Sequence, residues 1–338
     1  MRKIGLLPFT ILYWLITYTR NVLFDVGILK SEKITGKSIS VGNLSVGGTG
    51  KTPMVNYLTQ LLKDENAIQI LSRGYGRKTK GFRQVELTDT ANEVGDEPLS
   101  YLQKFGSSVC VFVCEKRLIA INKMKEINPF ATIILDDAFQ HRYVEPGFQL
   151  LLTPFYAPFL DDWHLPSGNL REAISGANRA DAIVLTKCPN LTKEEMDRQR
   201  KRYEQFQKPV FFSSIVYAEW INFGKELKQV KSVFLVTGIS STFALKNHLL
   251  ESFSVEELKF GDHHSFTHAD IQEIHRKFDT FANKEMAIVT TEKDLVKIKE
   301  LISKNERQTY PWYVLPMEVK LSEEQAFNSM IKKYVRSN

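Results

Sequence analysis

The sequence predicts an α/β protein: a mostly parallel sheet with helices on both faces, a smaller C-terminal α/β domain, and an N-terminal helix at a membrane interface. Three features of the chain carry this prediction. A glycine-rich turn, Ser45-Val46-Gly47-Gly48-Thr49-Gly50-Lys51-Thr52, stands between an alternating apolar run and a helix-like run. Short apolar runs recur after it, with helical stretches between them. Residues 6–29 are strongly apolar, interrupted by Pro8, Arg20, Asn21 and Asp25. With 338 residues, 43% hydrophobic and 25% charged, the chain is globular and long enough for two domains or one large one.

The N-terminal segment comes first. Helical spacing from residue 10 places Thr10, Tyr13, Thr17, Asn21 and Asp25 on one narrow face, and the rest is mostly Leu, Ile, Phe, Val and Trp14. A membrane span needs about 20 clean apolar residues, and the uninterrupted run here is shorter. Arg2-Lys3 followed by an apolar core resembles a secretory leader, but no small-residue cleavage site follows, and a phosphate loop needs cytosolic nucleotide. The expectation is a helix lying in the interface plane, with Trp14 and the tyrosine rings near the headgroups. A long helix buried against the domain is the alternative.

Residues 38–41 read as a strand and residues 54–62 as a helix. Between such elements, backbone N–H groups of a glycine-rich turn cradle phosphates at a helix N-terminus. Lys51 then reaches the β- and γ-phosphates and the Thr52 hydroxyl ligates Mg²⁺, so ATP and Mg²⁺ are the expected cofactors, held by residues 45–52. The pattern G-x-x-x-x-G-K-[ST] is departed from once, at Ser45, which is small and is followed by Gly47 and Gly48. Pro53 falls in the first helical turn, where its missing N–H costs nothing. The arrangement is of the P-loop NTPase type.

Apolar runs at 67–71, 109–113, 132–135, 149–152 and 182–185 supply the remaining parallel strands. Three of them end in Ser72-Arg73-Gly74-Tyr75-Gly76-Arg77, Asp136-Asp137 and Thr186-Lys187, as the strand before the phosphate loop ends in Gly42-Asn43. Ligands of open α/β sheets bind beyond the carboxyl ends of the strands, so these motifs converge on one site. Asp136 or Asp137 at such an end holds Mg²⁺ or its water opposite Thr52. Pro189 replaces the Asp that a guanine-reading T-K-x-D loop carries, so a guanine preference is unsupported. Gly95-Asp96-Glu97-Pro98 opens a helix, and Asp96 reads either as its cap or as a group at the phosphate edge. In the loop Leu165-Pro166-Ser167-Gly168-Asn169-Leu170-Arg171-Glu172, Arg171 suits bidentate neutralisation of a substrate phosphate.

A second α/β block begins near residue 210. It reads as strands at 210–220 and 232–236, helices at 242–252 and 267–281, a strand at 287–291 and a helix at 293–302. Phe260-Gly261-Asp262-His263-His264 precedes the second of these helices; adjacent histidines point apart, but Asp beside His suits an acid/base or orienting element. Residues 312–319 are expected to pair with 210–220 as a two-stranded connector, and Ser322-Glu323-Glu324-Gln325 reads as a capping box opening a last helix. The expected divisions are 1–30 (membrane-associated helix), 31–208 (P-loop kinase core), 209–321 (smaller domain with connector) and 322–338 (C-terminal helix).

The net charge of +6 suits an anionic partner such as a phosphorylated substrate or an acidic membrane surface. Basic residues are not interleaved with aromatics, which argues against nucleic acid; the densest basic run, 198–202, reads as a solvated helix face. Three cysteines, Cys110, Cys114 and Cys188, make no disulfide framework and imply reduced thiols.

Taken together, Val41-Gly42-Asn43-Leu44 with the phosphate loop and Pro53, Ser72-Arg73-Gly74-Tyr75-Gly76, Val94-Gly95-Asp96-Glu97-Pro98, Asp136-Asp137-Ala138-Phe139-Gln140-His141, the 165–172 loop, Asp262-His263-His264 and Thr291-Glu292-Lys293-Asp294 resemble the tetraacyldisaccharide 4'-kinase (lipid A 4'-kinase) family. The resemblance runs from the N-terminal helix to about residue 298 and includes Ser45. It implies transfer of the ATP γ-phosphate to the 4'-hydroxyl of a tetraacylated glucosamine disaccharide 1-phosphate. The implied place is the cytoplasmic face of the bacterial inner membrane, as a peripheral or monotopic protein. It also implies Asp96 as the base, assisted by His263, with Lys51 on the phosphates. Asn43, Arg73, Tyr75, Arg117, Gln140, His141, Arg171 and Glu172 are the candidate substrate residues. Ala138 and Ala173 stand where the family has Gly and Pro. A small-molecule P-loop kinase and a membrane-tethered regulatory P-loop ATPase are the alternatives.

Overall fold

A computed structural model describes residues 5–239, 241–262, 264–281 and 285–337. Among them, nine strands form one sheet and five a second. Across the first, the order is Met317–Leu321, Val210–Tyr217, Ala182–Thr186, Phe148–Pro154, Ser38–Asn43, Thr132–Asp136, Ile68–Ser72, Val109–Val113 and Arg83–Gln84. The two outermost pairings are antiparallel and the others parallel, so the sheet is mostly parallel, as the strand–helix alternation predicts. The inner strands are buried on both faces, which is why they read as near-continuous apolar runs.

Helices cover both faces. On one, Met54, Val55 and Leu58 of Lys51–Leu62, Leu99 and Leu102 of Asp96–Phe105, and Phe327, Ile331 and Val335 of Glu324–Arg336 close over Ile39, Val41, Ile70 and Val111. On the other, Ala120, Ile121 and Met124 of Arg117–Ile127 pack on Leu71, Phe112, Ile133 and Leu135. The three cysteines are unpaired, Cys114 and Cys188 being buried.

The second sheet runs Ile221–Asn222, Trp312–Val314, Met286–Thr290, Ser232–Thr237 and Ser254–Lys259. Two expectations need correction. Residues 312–319 do not form one strand. Met317–Leu321 runs antiparallel to Ser213–Tyr217, whereas Trp312–Val314 lies parallel to Met286–Thr290 in the other sheet. Leu315 still donates its N–H to Thr290, but Pro316 has none to give, and the chain changes sheets there. The capping box at Ser322 does not form either. Glu323 is the cap position, with no side-chain cap bond. The Ser322 N–H is taken by the Phe212 carbonyl, and Glu323 pairs with Arg200.

The two sheets are joined by packing as well as by the chain. Helix Glu292–Ile298 lies on Asp96–Phe105: Val296 enters the first core, and Lys104 bonds Glu292 at 2.9 Å.

The N-terminal helix, Leu7–Asp25, carries its polar stripe inward. Thr10 bonds Ser167 at 2.6 Å, Tyr13 donates to the Arg171 carbonyl at 3.0 Å, Asn21 reaches Glu172 at 2.8 Å, and Asp25 pairs with Arg142 at 2.7 Å. The opposite face holds Phe9, Ile11, Leu12, Leu15 and Ile16, each half or more exposed. That inverts the pattern of a core helix, in which the apolar stripe faces the protein. No helix among the described residues is long and apolar enough to cross a membrane.

Candidate active site

Strand Ser38–Asn43 and helix Lys51–Leu62 hold the phosphate loop between them. Gly50, at φ 90°, and Gly47, at φ 103°, take left-handed conformations that a side chain disfavours. Ser45 is not among the residues with positive φ. It bridges Leu170 in extended pairing, and Val46 N–H to Asn169 and Arg171 N–H to Leu44 continue the contact. The position therefore accepts Ser. Neighbouring groups brace the loop: Thr186 donates to the Thr49 carbonyl at 2.8 Å, Lys187 to the Gly48 carbonyl at 2.6 Å, and Asn43 to the Thr49 hydroxyl at 2.7 Å. Thr186-Lys187 thus supports the loop.

The acidic strand end lies alongside. Asp136 is buried and Ser72 donates to its Oδ2 at 3.2 Å, while its Oδ1 has no hydrogen bond of ordinary geometry among the described residues. Burial, with Glu97 and Asp137 adding to it, pushes the Asp136 carboxyl up to about 7 against Lys51 and Arg117. Asp137 takes φ 48° and meets Arg171 at 2.8 Å and Lys51 at 3.7 Å. Burial alone would raise it, but Lys51, Arg171 and Arg117 outweigh that and hold it at about 2. Neighbouring carboxylates therefore have opposite characters: Asp137 is neutralised by protein cations, and Asp136 is not.

Thr52 donates to Glu97 Oε1 at 3.2 Å. The Tyr101 hydroxyl faces the same cluster, pushed well above its usual range by burial and then by Asp136 and Glu97. Glu97 is a site residue that the sequence reading missed, although it follows Asp96 in the first turn of a helix aimed at the phosphate edge. Asp96 is 7% exposed and is the first residue of that helix, with Gly95 at the cap position. Its Oδ1 accepts from the Glu97 N–H at 2.9 Å, so its side chain does not cap the turn in the usual way, by accepting from the second or third helical N–H. His263 lies outside the described residues.

The other candidates divide by position. Arg73 and Tyr75 are exposed. His141 is half-buried, and burial with Arg117 and Arg73 holds it at about 4 and so neutral. Arg117 is buried behind the acidic pair, donating to the Cys114 and Asp136 carbonyls. Gly42 is required where Phe139 crosses, since a Cβ would stand 2.5 Å from that of Phe139. Gln140 donates to the Asn43 carbonyl at 2.7 Å and to Glu172 at 2.9 Å, and Arg171 bonds the Asn43 side chain. Both Glu172 carboxylate oxygens also accept from Arg179, at 2.9 Å.

A family model described as "Tetraacyldisaccharide-1-P 4'-kinase" matches residues 2–336. The chain belongs to this kinase family. A tetraacyldisaccharide 4'-kinase of Flavobacterium johnsoniae is 42% identical, covering 100% of this chain and 98% of the relative. One from Bacteroides thetaiotaomicron is 36% identical over 98% of this chain and 93% of its own. The crystal structure of LpxK from Aquifex aeolicus in complex with ATP aligns with a TM-score of 0.76 at 32% identity, over 99% of this chain and 100% of that one. Within the 4'-kinase family the two departures are mild. Ala173 keeps φ −61°, the value proline would impose. At Asp137-Ala138 the positive φ falls on Asp137, so Ala138 is not strained.

Glu172 and Arg179 make a prediction about this scaffold. Their side chains are 4% and 19% exposed, and breaking a buried pair from one side costs about 3–5 kcal/mol. Glu172→Ala is expected to lose that much stability in urea unfolding. Wild-type stability with a raised KM for an acceptor would make Glu172 a binding residue instead.

Proposed function

We propose that the protein transfers the γ-phosphate of ATP to the 4'-hydroxyl of a tetraacylated glucosamine disaccharide 1-phosphate. The convergence of Lys51, Thr52, Glu97, Asp136 and Asp96 at one sheet edge supports this above all. In this reading the loop N–H groups and Lys51 hold the β- and γ-phosphates, and Asp96, assisted by His263, accepts the proton of the attacking hydroxyl. Arg73, Tyr75, His141 and Arg171 front the acceptor; Asn43 holds Arg171, Gln140 ties Asn43 to Glu172, and Arg117 lies buried behind the acidic pair.

The residues also fit Mg²⁺. Among the described residues no three His, Cys or acidic side chains form a metal cluster. Mg²⁺ asks for less, being bound through one or two carboxylates together with substrate phosphates. Thr52, Asp136 with its unpartnered Oδ1, and Glu97 supply such a set, with Asp137 held back by its cations. When bound, the ion neutralises charge on the β- and γ-phosphate oxygens.

The outward apolar face of Leu7–Asp25 supports a place in the membrane interface; in this reading the need for ATP sets it on the cytoplasmic side of the inner membrane. Radiolabelled ATP with and without the lipid disaccharide 1-phosphate, with product mass read out, tests the reaction. Phosphate release without acceptor would indicate a regulatory ATPase, and transfer to a soluble sugar a small-molecule kinase. Ile11→Glu with Ile16→Glu tests the surface. Each exposed side chain stabilises insertion by about 1.5 kcal/mol or more, so the pair should weaken vesicle binding on the order of a hundredfold, with ATP affinity kept. Unchanged cosedimentation with anionic vesicles would refute the interfacial helix.

A further inference from the structure

The second sheet unit brings a buried cation to Asp96. Lys297 lies on helix Glu292–Ile298 with its side chain 9% exposed. Its Nζ stands 3.5 Å from Asp96 Oδ2 and 3.5 Å from Asp294 Oδ1, 5.7 Å above the Phe266 ring. Asp294 is itself fully buried and fixed: its Oδ2 accepts from the Thr291 hydroxyl at 2.9 Å and from the Gly238 N–H at 3.0 Å. Gly238 follows strand Ser232–Thr237 and adjoins the loop after Phe260. A Cβ on it would stand 3.3 Å from that of His264 and 3.4 Å from the Gly261 carbonyl. The anchor of Lys297 therefore borders the segment that carries Asp262 and His264.

Burying an ammonium costs several kcal/mol unless it is paired, and Lys297 has two carboxylates, one from each side of the junction. Lys293 also approaches Asp96, at 4.0 Å, but it is more exposed and divides its charge with Glu97 at 3.8 Å. Of the two lysines, Lys297 is the one whose second anion is immobilised. Among the described residues, the charged groups beside Asp96 include Glu97 on its own helix and Lys293 and Lys297 on the helix packed against it.

We propose that Lys297 is a positioning residue for Asp96: it fixes Oδ2 from across the junction, in the orientation proton transfer needs. This rests on Asp96 as proton acceptor.

The test uses Lys297→Met and Lys297→Arg in the full-length protein, with ATP and lipid acceptor. Lys297→Met should lower kcat about tenfold or more through misplacement of the base, with KM for ATP little changed. Lys297→Arg, which keeps a cation within reach of Asp96 Oδ2, should restore most of kcat. A lowered melting temperature with unmoved kcat would overturn the proposal. Should Lys297→Met not fold, Lys297→Gln is read in the same way. Adding Lys297→Met to Asp96→Asn should cost little more, and a full additional loss would overturn action through Asp96. If Asp96→Asn alone keeps kcat, the base assignment fails and this inference with it. If Asp96→Asn is inactive but Lys297→Met is normal, only this inference fails.

Discussion

Asp96→Asn is expected to lose kcat by about 10²–10⁴, the usual contribution of a positioned general base, with ATP affinity nearly unchanged. The amide keeps the volume and can still accept the Glu97 N–H, so the substitution removes basicity and charge but not that hydrogen bond. Isothermal titration with ATP and steady-state transfer to the acceptor separate the two effects. Combined with His263→Ala, the loss should be much less than multiplicative, because groups acting as a unit are non-additive. Fully multiplicative losses would reject the dyad and leave two separate roles. An Asp96→Asn protein that melts lower yet turns over normally would show Asp96 to be structural only.

Lys51→Ala is expected to cost on the order of 10²–10³ in kcat, as removal of a preorganised charge from a developing phosphoryl transition state does. Lys51 is at the rim of the site, 15% exposed and 3.7 Å from Asp137, which retains Arg171 at 2.8 Å. The fold should therefore survive, and the melting temperature of the nucleotide-free variant should stay close to wild type. Near-wild-type kcat would remove the phosphate-loop assignment.

The phosphate loop was legible because three local signals agree there: an apolar strand, a glycine-rich turn and a helix with proline in its first turn. Asp136 was legible because an apolar run that stops at a carboxylate marks a strand end. Glu97, Lys293 and Lys297 were not, since each sits on a helix whose partners come from elsewhere in the chain, and helical spacing does not tell which helix packs on which. Strand Ser254–Lys259 escaped for another reason. It is an edge strand with its pattern diluted by Glu256, Glu257 and Lys259. For the N-terminal helix the periodicity gave the narrow polar stripe. That the stripe bonds Ser167, Glu172 and the Arg171 carbonyl follows only from the folded chain.

That inward stripe has a mechanical consequence. The loop it grips is the same one that pairs with Leu44 and Val46, so the anchor and the phosphate loop are two edges of one rigid bracket. A helix of 19 residues is about 28 Å long, a broad runner rather than a point tether. With it resting in the headgroup plane as proposed, the height and tilt of Lys51 above the lipid are set by a few hydrogen bonds. The acceptor hydroxyl would then have to find only two coordinates, by lateral diffusion, because the third is built into the protein.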